Sequence, residues 1–146
     1  MGFRDLGLDE IELVLQKERV IRVAFAAGGE QFLVPMFFVL HEGALCGLTT
    51  PGRKTRLAES NPIVSFQVDS TVASGPWEWA SVSGIGTFAR VDEPAAFGPF
   101  AAKLQGKLAD APKWAADMLQ ERFARLGMYP WRIQPSELSG RAHGPE

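Results

Sequence analysis

Ile63-Val64-Ser65-Phe66-Gln67-Val68-Asp69 is the stretch that most clearly indicates the class of the fold. Val64, Phe66 and Val68 alternate with polar residues, and this period of two is typical of a half-buried β-strand. Asn61-Pro62 stands directly before the stretch, where a proline ends any preceding helix. The segment is therefore predicted to be a strand with one face in the core.

Strand patterns also lie on both sides of this segment. They are predicted at residues 19–25, 31–40, 44–49 and 77–91. Pro35 interrupts the second of them and favours a sheet edge or a bulge, because proline cannot donate to a strand ladder. Gly84 and Gly86 lie inside the last, and glycines in a long strand favour a bulge or a barrel bend.

Helical spacing dominates the second half of the chain. Apolar residues recur at helical intervals in residues 94–107 and 112–126, and Gly127 suits a helix C-terminus. A short helix is predicted at residues 10–17 with Asp9 as its N-cap. A last strand is predicted at 128–133, and a flexible tail at 141–146. Together these elements predict one domain, 1–146, that is mainly β with peripheral helices outside an antiparallel barrel.

Composition excludes several classes of function. Fifteen basic and 17 acidic residues give a net charge of −2, which argues against general binding to nucleic acid or to acidic membranes. No run of about 18 apolar residues is present, so no membrane span is predicted. Cys46 is the single cysteine, and its apolar neighbours predict a buried free thiol. We expect a cytoplasmic protein with neither a nucleic-acid nor a membrane partner.

The basic turn Pro51-Gly52-Arg53-Lys54-Thr55 carries the main functional signal. It follows a predicted strand and precedes a short helix, and free N–H groups at a helix start attract anions. Arg53 can donate two parallel hydrogen bonds to a phosphate, and Lys54 adds a point charge. The remaining phosphate oxygens can accept hydrogen bonds from the hydroxyls of Thr49, Thr50 and Thr55. Taken alone, so short a motif is more often a solvated basic turn.

The segments around this turn occur in an informative order. They are Val34-Pro35-Met36, Leu48-Thr49-Thr50, Gly52-Arg53-Lys54, Asn61-Pro62 and Trp79-Ala80-Ser81-Val82-Ser83-Gly84. In this order they resemble the flavin-binding split-barrel family that includes pyridoxamine 5′-phosphate oxidase. The resemblance covers most of the chain, and it implies an antiparallel six-stranded split β-barrel. It further implies an FMN-binding homodimer with the flavin in a groove between two barrels.

The resemblance also implies roles for individual residues. Arg53 and Lys54 would bind the FMN phosphate, and Thr49 and Thr50 would support phosphate or ribityl oxygens. The residues expected along the isoalloxazine ring, partly through their backbone groups, are Val34, Pro35 and Met36.

Residues farther along the chain are expected near the groove. Trp79 and Ser81 would contribute from either subunit, although ordinary packing is an equal alternative for Trp79. Trp131 and Arg132 would lie at the rim. The segment Arg141-Ala142-His143 has an Arg-x-His pattern similar to that with which pyridoxamine 5′-phosphate oxidases end, but it falls in the expected tail.

The chain departs from the vitamin-forming enzymes, because it is shorter and has no Arg-x-x-Leu-Leu-Lys segment before the predicted hairpin. Two histidines and one cysteine do not make a convincing metal site, and no Ser-His-Asp arrangement is evident. Any redox chemistry would therefore come from the flavin. His41, in a predicted turn, is expected to be exposed rather than a haem ligand.

Two functions remain open at this point. The first is an FMN-dependent oxidoreductase acting on a small planar substrate, with a reduced nicotinamide as candidate electron source. The second is a flavin- or haem-binding carrier or sensor without turnover. The split-barrel fold is also used for haem and for a deazaflavin cofactor, so these are the alternatives to FMN.

Overall fold

The computed structural model describes residues 2–145. The strands are β1 (Phe3–Asp5), β2 (Val20–Ala27), β3 (Glu30–Phe37), β4 (Val39–His41), β5 (Ala44–Thr49), β6 (Ile63–Asp69), β7 (Trp79–Arg90) and β8 (Tyr129–His143). The helices are α1 (Leu8–Lys17), α2 (Arg53–Ser60), α3 (Thr71–Ser74), α4 (Pro94–Lys107) and α5 (Lys113–Leu126).

All strands belong to one antiparallel sheet in the order β3-β2-β6-β7-β8-β5-β4, with β1 paired to β8. The sheet curls into a half-barrel, so that the carbonyl of Phe37 on β3 lies against Gly47 on β5. The predicted mainly-β fold with peripheral helices is confirmed. Six strands are long, as expected. The predicted strand 31–40 is divided at Phe38 into β3 and the three-residue β4, and β1 is a further three-residue strand.

The proline and the glycines inside the predicted strands mark a sheet edge and an irregularity, as expected. Pro35 lies in β3, which is an edge of the sheet. In β7 the pairing with β8 shifts register between Ile85 and Gly86, which is the predicted irregularity. A side chain at Gly84 would meet the Phe66 ring and the backbone of β8, so this close approach requires glycine.

The core lies on the concave face of the sheet. Val64, Phe66 and Val68 are buried there, as their alternation predicts. Phe25 and Trp131 are fully buried among them, and each large apolar side chain of this kind stabilises the fold by about 1.5–3 kcal/mol. Trp131, expected at a groove rim, is therefore a core residue. A smaller cluster joins β4 and β5 to α4 and includes Cys46, which is buried as predicted.

Two predictions about the chain ends are wrong. The N-cap of α1 is Gly7 rather than Asp9, and its N–H donates to the Glu10 carboxylate at 3.2 Å. Residues 141–143, expected in a flexible tail, are the end of β8 and pair with both β1 and β7. The tail was expected because these residues are polar, whereas their hydrogen-bond partners come from distant parts of the chain. Glu146 lies outside the described residues.

Helix α5 matches its predicted range but not the packing that its apolar stripe suggests. None of its residues is buried, and Trp114, Met118 and Leu126 are exposed. Its C-cap is Gly127, with φ of 88°, as predicted. Within residues 2–145, no helix has the length and apolar character needed to cross a bilayer.

Candidate functional site

The turn between β5 and α2 is built around Gly52 and Thr55. The Thr55 hydroxyl accepts a hydrogen bond from the Gly52 N–H at 2.9 Å and donates to the Gly52 carbonyl at 3.0 Å. Thr55 is buried, and these bonds close the first turn of α2. The structure therefore places the Thr55 hydroxyl in helix capping, while its role toward a phosphate stays a prediction.

Lys54, the second residue of α2, lies at a cavity of about 300 Å³, which we call the Lys54 pocket. Its walls come from β3, from the end of β5 and from α5. They are formed by Phe32, Val34, Pro35, Met36, Phe37, Leu48, Thr49, Thr50, Lys54, Leu119, Arg122 and Phe123. The structure thus brings together six of the ten predicted site residues: Val34, Pro35, Met36, Thr49, Thr50 and Lys54.

The Lys54 pocket combines two cations, Lys54 and Arg122, with hydroxyl groups and apolar side chains. Burial of the Lys54 amine, and to a smaller extent the charge of Arg122, lower the pKa of Lys54 below its ordinary value of 10.5. The Arg122 Nη2 atom lies 3.5 Å from the hydroxyl of the buried Thr50. Within residues 2–145, neither Lys54 nor Arg122 forms an ion pair with a carboxylate. Uncompensated positive charge beside hydroxyl groups is the composition of an anion site.

Arg53 is placed differently from its neighbour Lys54. Its Nε donates to the Glu30 carboxylate at 2.7 Å, and its guanidinium lies 4.5 Å from the centre of the Phe32 ring. Arg56 shares the same carboxylate, and both arginines lower the pKa of Glu30 by hydrogen bonding. Arg53 therefore does not line the Lys54 pocket, and its charge is already paired with Glu30.

Trp79 and Ser81 lie in a second region, outside the Lys54 pocket of the same chain. Trp79 stacks on His143 at 5.5 Å and meets Phe3 edge-on at 6.2 Å, and we call these three residues the Trp79 cluster. The Ser81 hydroxyl accepts a hydrogen bond from Gln67 at 3.0 Å. One chain therefore does not bring these two predicted residues to the other six.

Sequence reasoning missed the contribution of α5 to the pocket. Leu119, Arg122 and Phe123 share one face of the helix because they are three and four residues apart. In the sequence, the two apolar residues fit a packing stripe, and that pattern assigns no role to the arginine between them. The sequence does show a cation inside an apolar stripe. It does not show which strand that cation faces, because this depends on how the helix packs on the sheet.

The two remaining reactive side chains lie elsewhere. Burial raises the pKa of the Cys46 thiol to about 11, so it is neutral near pH 7 and is a weak nucleophile. His41, expected to be exposed, has a mostly buried side chain whose Nδ1 atom has no hydrogen-bond partner among the described residues. No cluster of three His, Cys, Asp or Glu side chains suited to a metal ion occurs in residues 2–145.

Comparisons with known proteins agree with this architecture. The model of the pyridoxamine 5′-phosphate oxidase family matches residues 8–142. No curated protein matches the sequence. Among solved structures, an FAD-binding protein from Mesorhizobium loti is 24% identical, with a TM-score of 0.75 over 97% of this chain and 99% of its own.

Two further solved structures show the same fold at lower identity. An FAD-binding protein from Mycobacterium smegmatis is 20% identical, with a TM-score of 0.63 over 95% of this chain and 96% of its own. HutZ, a haem storage protein from Vibrio cholerae, is 17% identical, with a TM-score of 0.72 over 94% and 96%. Since the family model spans nearly the whole sequence, the chain belongs to the pyridoxamine 5′-phosphate oxidase family.

Proposed function

We propose that the chain binds FMN in the Lys54 pocket and acts as a flavin-dependent oxidoreductase on a small planar substrate. The observation that carries the proposal is Lys54 itself, a half-buried cation with no carboxylate partner among the described residues. A phosphate dianion would supply the missing negative charge, and the hydroxyls of Thr49 and Thr50 would complete its hydrogen bonding.

The apolar wall that β3 contributes to the pocket suits the ring system of a flavin. Val34, Pro35 and Met36 form this wall on β3, which is an edge strand. Edge strands offer unpaired backbone N–H and C=O groups to a ligand, except where proline lacks the N–H. The wall would therefore position the ring by apolar contact and by backbone hydrogen bonds, as the family resemblance implies.

Bound FMN would supply the transfer of hydride or electrons. The pocket itself offers two cations and two hydroxyls as polar side chains, and no carboxylate or histidine to move a proton. The protein would hold the phosphate, orient the ring and limit access of water. A reduced nicotinamide is the proposed electron donor. The single buried cysteine fits a reducing compartment such as the cytoplasm.

We also propose a homodimer. Leu33 and Phe37 on β3 are 68% and 42% exposed beside the pocket, and exposed apolar residues next to a cleft favour an interface. A second copy could bring its Trp79 cluster to the groove, which one chain does not do. Sedimentation of the purified protein should give a dimer, and a species of only 15.9 kDa at micromolar concentration would contradict this part of the proposal.

The second candidate is a flavin- or haem-binding carrier or sensor without turnover. It is favoured by the same lack of a proton-transferring side chain in the pocket. The fold likeness to the haem storage protein HutZ adds haem to the ligands worth testing.

The visible absorption spectrum separates these functions. The purified protein is loaded with FMN, a deazaflavin or haem in turn, and a reduced nicotinamide is then added without oxygen. The oxidoreductase proposal predicts that the FMN form is retained and that its absorption bleaches. A stable complex that never bleaches with any reduced nicotinamide favours the carrier, and failure to retain FMN contradicts the proposed site.

A further inference from the structure

We propose that Arg122 of α5 is a second phosphate-binding residue of the Lys54 pocket, and that phosphate binding fixes α5 against the barrel. This inference rests on the proposed function and extends it to a residue and a helix that neither the sequence pattern nor the comparisons assign.

The first argument is the position of Arg122. Its guanidinium shares the pocket with Lys54 and lies 3.5 Å from the Thr50 hydroxyl, a long contact for a hydrogen bond. Most of the five N–H donors of the Arg122 guanidinium are therefore available to a ligand. On the same helix, Arg125 is exposed like Arg122, but it pairs with Glu121 at 3.0 Å. Of these two arginines, the one that faces the pocket is the one without a carboxylate partner in the described chain.

The second argument is electrostatic. Arg122 contributes to lowering the pKa of Lys54, so the two cations are close enough to repel each other. Within residues 2–145 no acidic side chain offsets this repulsion by an ion pair with either group. A phosphate of charge near −2 would convert the repulsion into two charge-assisted hydrogen-bonded contacts. The pair is thus better suited to a phosphate ester than to a neutral ligand.

The third argument concerns the attachment of α5. The helix has no buried residue. Its half-buried residues are Ala115, Leu119 and Phe123, which share one face, and the last two line the Lys54 pocket. Its contact with the barrel is therefore made by the face that carries Arg122. A helix held mainly through its ligand-facing side gains much of its order from the ligand. Binding of a phosphorylated ligand should then protect the backbone of α5.

The affinity test uses flavin-free protein and variants of two arginines on one helix, Arg122 and Arg125. Arg122→Gln is expected to weaken FMN by about ten- to a hundredfold, because charge-assisted hydrogen bonds contribute at this level. Its affinity for riboflavin, which lacks the phosphate, should change little. Arg122→Lys should recover part of the FMN affinity, since lysine keeps the charge but not the planar fork. The matched control, Arg125→Gln, should bind FMN as the wild type does.

The outcomes separate this inference from the proposed function. If Arg122→Gln binds FMN like Arg125→Gln while Lys54→Ala binds weakly, Arg122 is not a ligand and the Lys54 site stands. If both Arg122→Gln and Lys54→Ala bind normally, the proposed site is wrong as well. Equal losses for FMN and riboflavin in Arg122→Gln would indicate a packing role and would overturn the inference.

Hydrogen exchange gives an independent measure of α5. In the wild type, amides around residues 119–123 should exchange more slowly with saturating FMN than with saturating riboflavin. The difference should disappear in Arg122→Gln at saturation and persist in Arg125→Gln. Equal protection by the two flavins in the wild type would show that the phosphate does not fix the helix.

Discussion

Lys54 and Lys107 are both half-buried lysines whose pKa is lowered chiefly by burial, yet they differ in their surroundings. The Lys107 amine donates to the Phe38 carbonyl at 3.3 Å and lies 4.4 Å from the centre of the Phe38 ring. The charge of Glu18 raises the pKa of Lys107 more than the nearby Arg19 lowers it. Lys54 has a second cation, Arg122, as the neighbour that affects its pKa. Burial alone therefore does not distinguish the two lysines, and the proposed ligand site rests instead on the missing carboxylate partner of Lys54 and Arg122 at a cavity.

The largest expected effect tests this comparison at Lys54. Lys54→Ala should weaken FMN by about ten- to a hundredfold, because a charge-assisted contact to the phosphate is lost. Riboflavin should be affected much less. Fluorescence titration of both flavins measures the difference, with circular dichroism as a check on folding. Loss of affinity for both flavins alike would point to general damage rather than to a phosphate contact.

A smaller effect is expected at Arg53, the other cation of the basic turn. Sequence reasoning assigns equal importance to Arg53 and Lys54, but the Arg53 charge is already paired with Glu30 and stacked on Phe32. Because Arg53 does not line the Lys54 pocket and its charge is used within the chain, Arg53→Ala should lower FMN affinity by about fivefold or less. A loss as large as that of Lys54→Ala would mean that Arg53 leaves Glu30 to bind the phosphate.

The smallest effect on FMN is expected at Lys107. Lys107→Met should leave FMN affinity unchanged, since the Lys107 amine is used within the protein. A measurable loss of FMN affinity in the same titration would show that the presence or absence of a hydrogen-bond partner does not indicate which lysine binds the flavin.

The same variant should instead change how stability depends on pH. Burial lowers the pKa of Lys107 from 10.5 to about 8, so between these values the unfolded chain binds the proton and the folded chain does not. The free energy of unfolding of the wild type should therefore rise with pH across this window, relative to Lys107→Met. Denaturant titrations from pH 7 to 10 measure this difference. A flat difference would contradict the lowered pKa.

Local patterns in the sequence predicted much of the fold. The alternation in β6, the range of α4 and the edge position of β3 were all foreseeable, because each depends on neighbouring residues. The course of β8 beyond Ile133 was not, because its mainly polar residues 137–143 are held by backbone pairing with β7, and residues 141–143 also with β1. Such pairing between distant segments leaves no periodic apolar signal.

The candidate site divides in the same way. Lys54 with Thr49 and Thr50 follows from a short motif and a turn. Arg122 comes from 68 residues later in the sequence than Lys54 and reaches the pocket through the placement of a whole helix. The burial of Trp131 and His41 likewise depends on how the sheet curls rather than on their neighbours in sequence.

The most direct test of the central claim is a paired titration of the flavin-free wild-type protein with FMN and with riboflavin. If the Lys54 pocket is a phosphate site, FMN should bind at least about tenfold more tightly. This advantage should shrink as salt is added, because salt screens exposed charges. Equal affinities for FMN and riboflavin at low salt would contradict the assignment of the pocket.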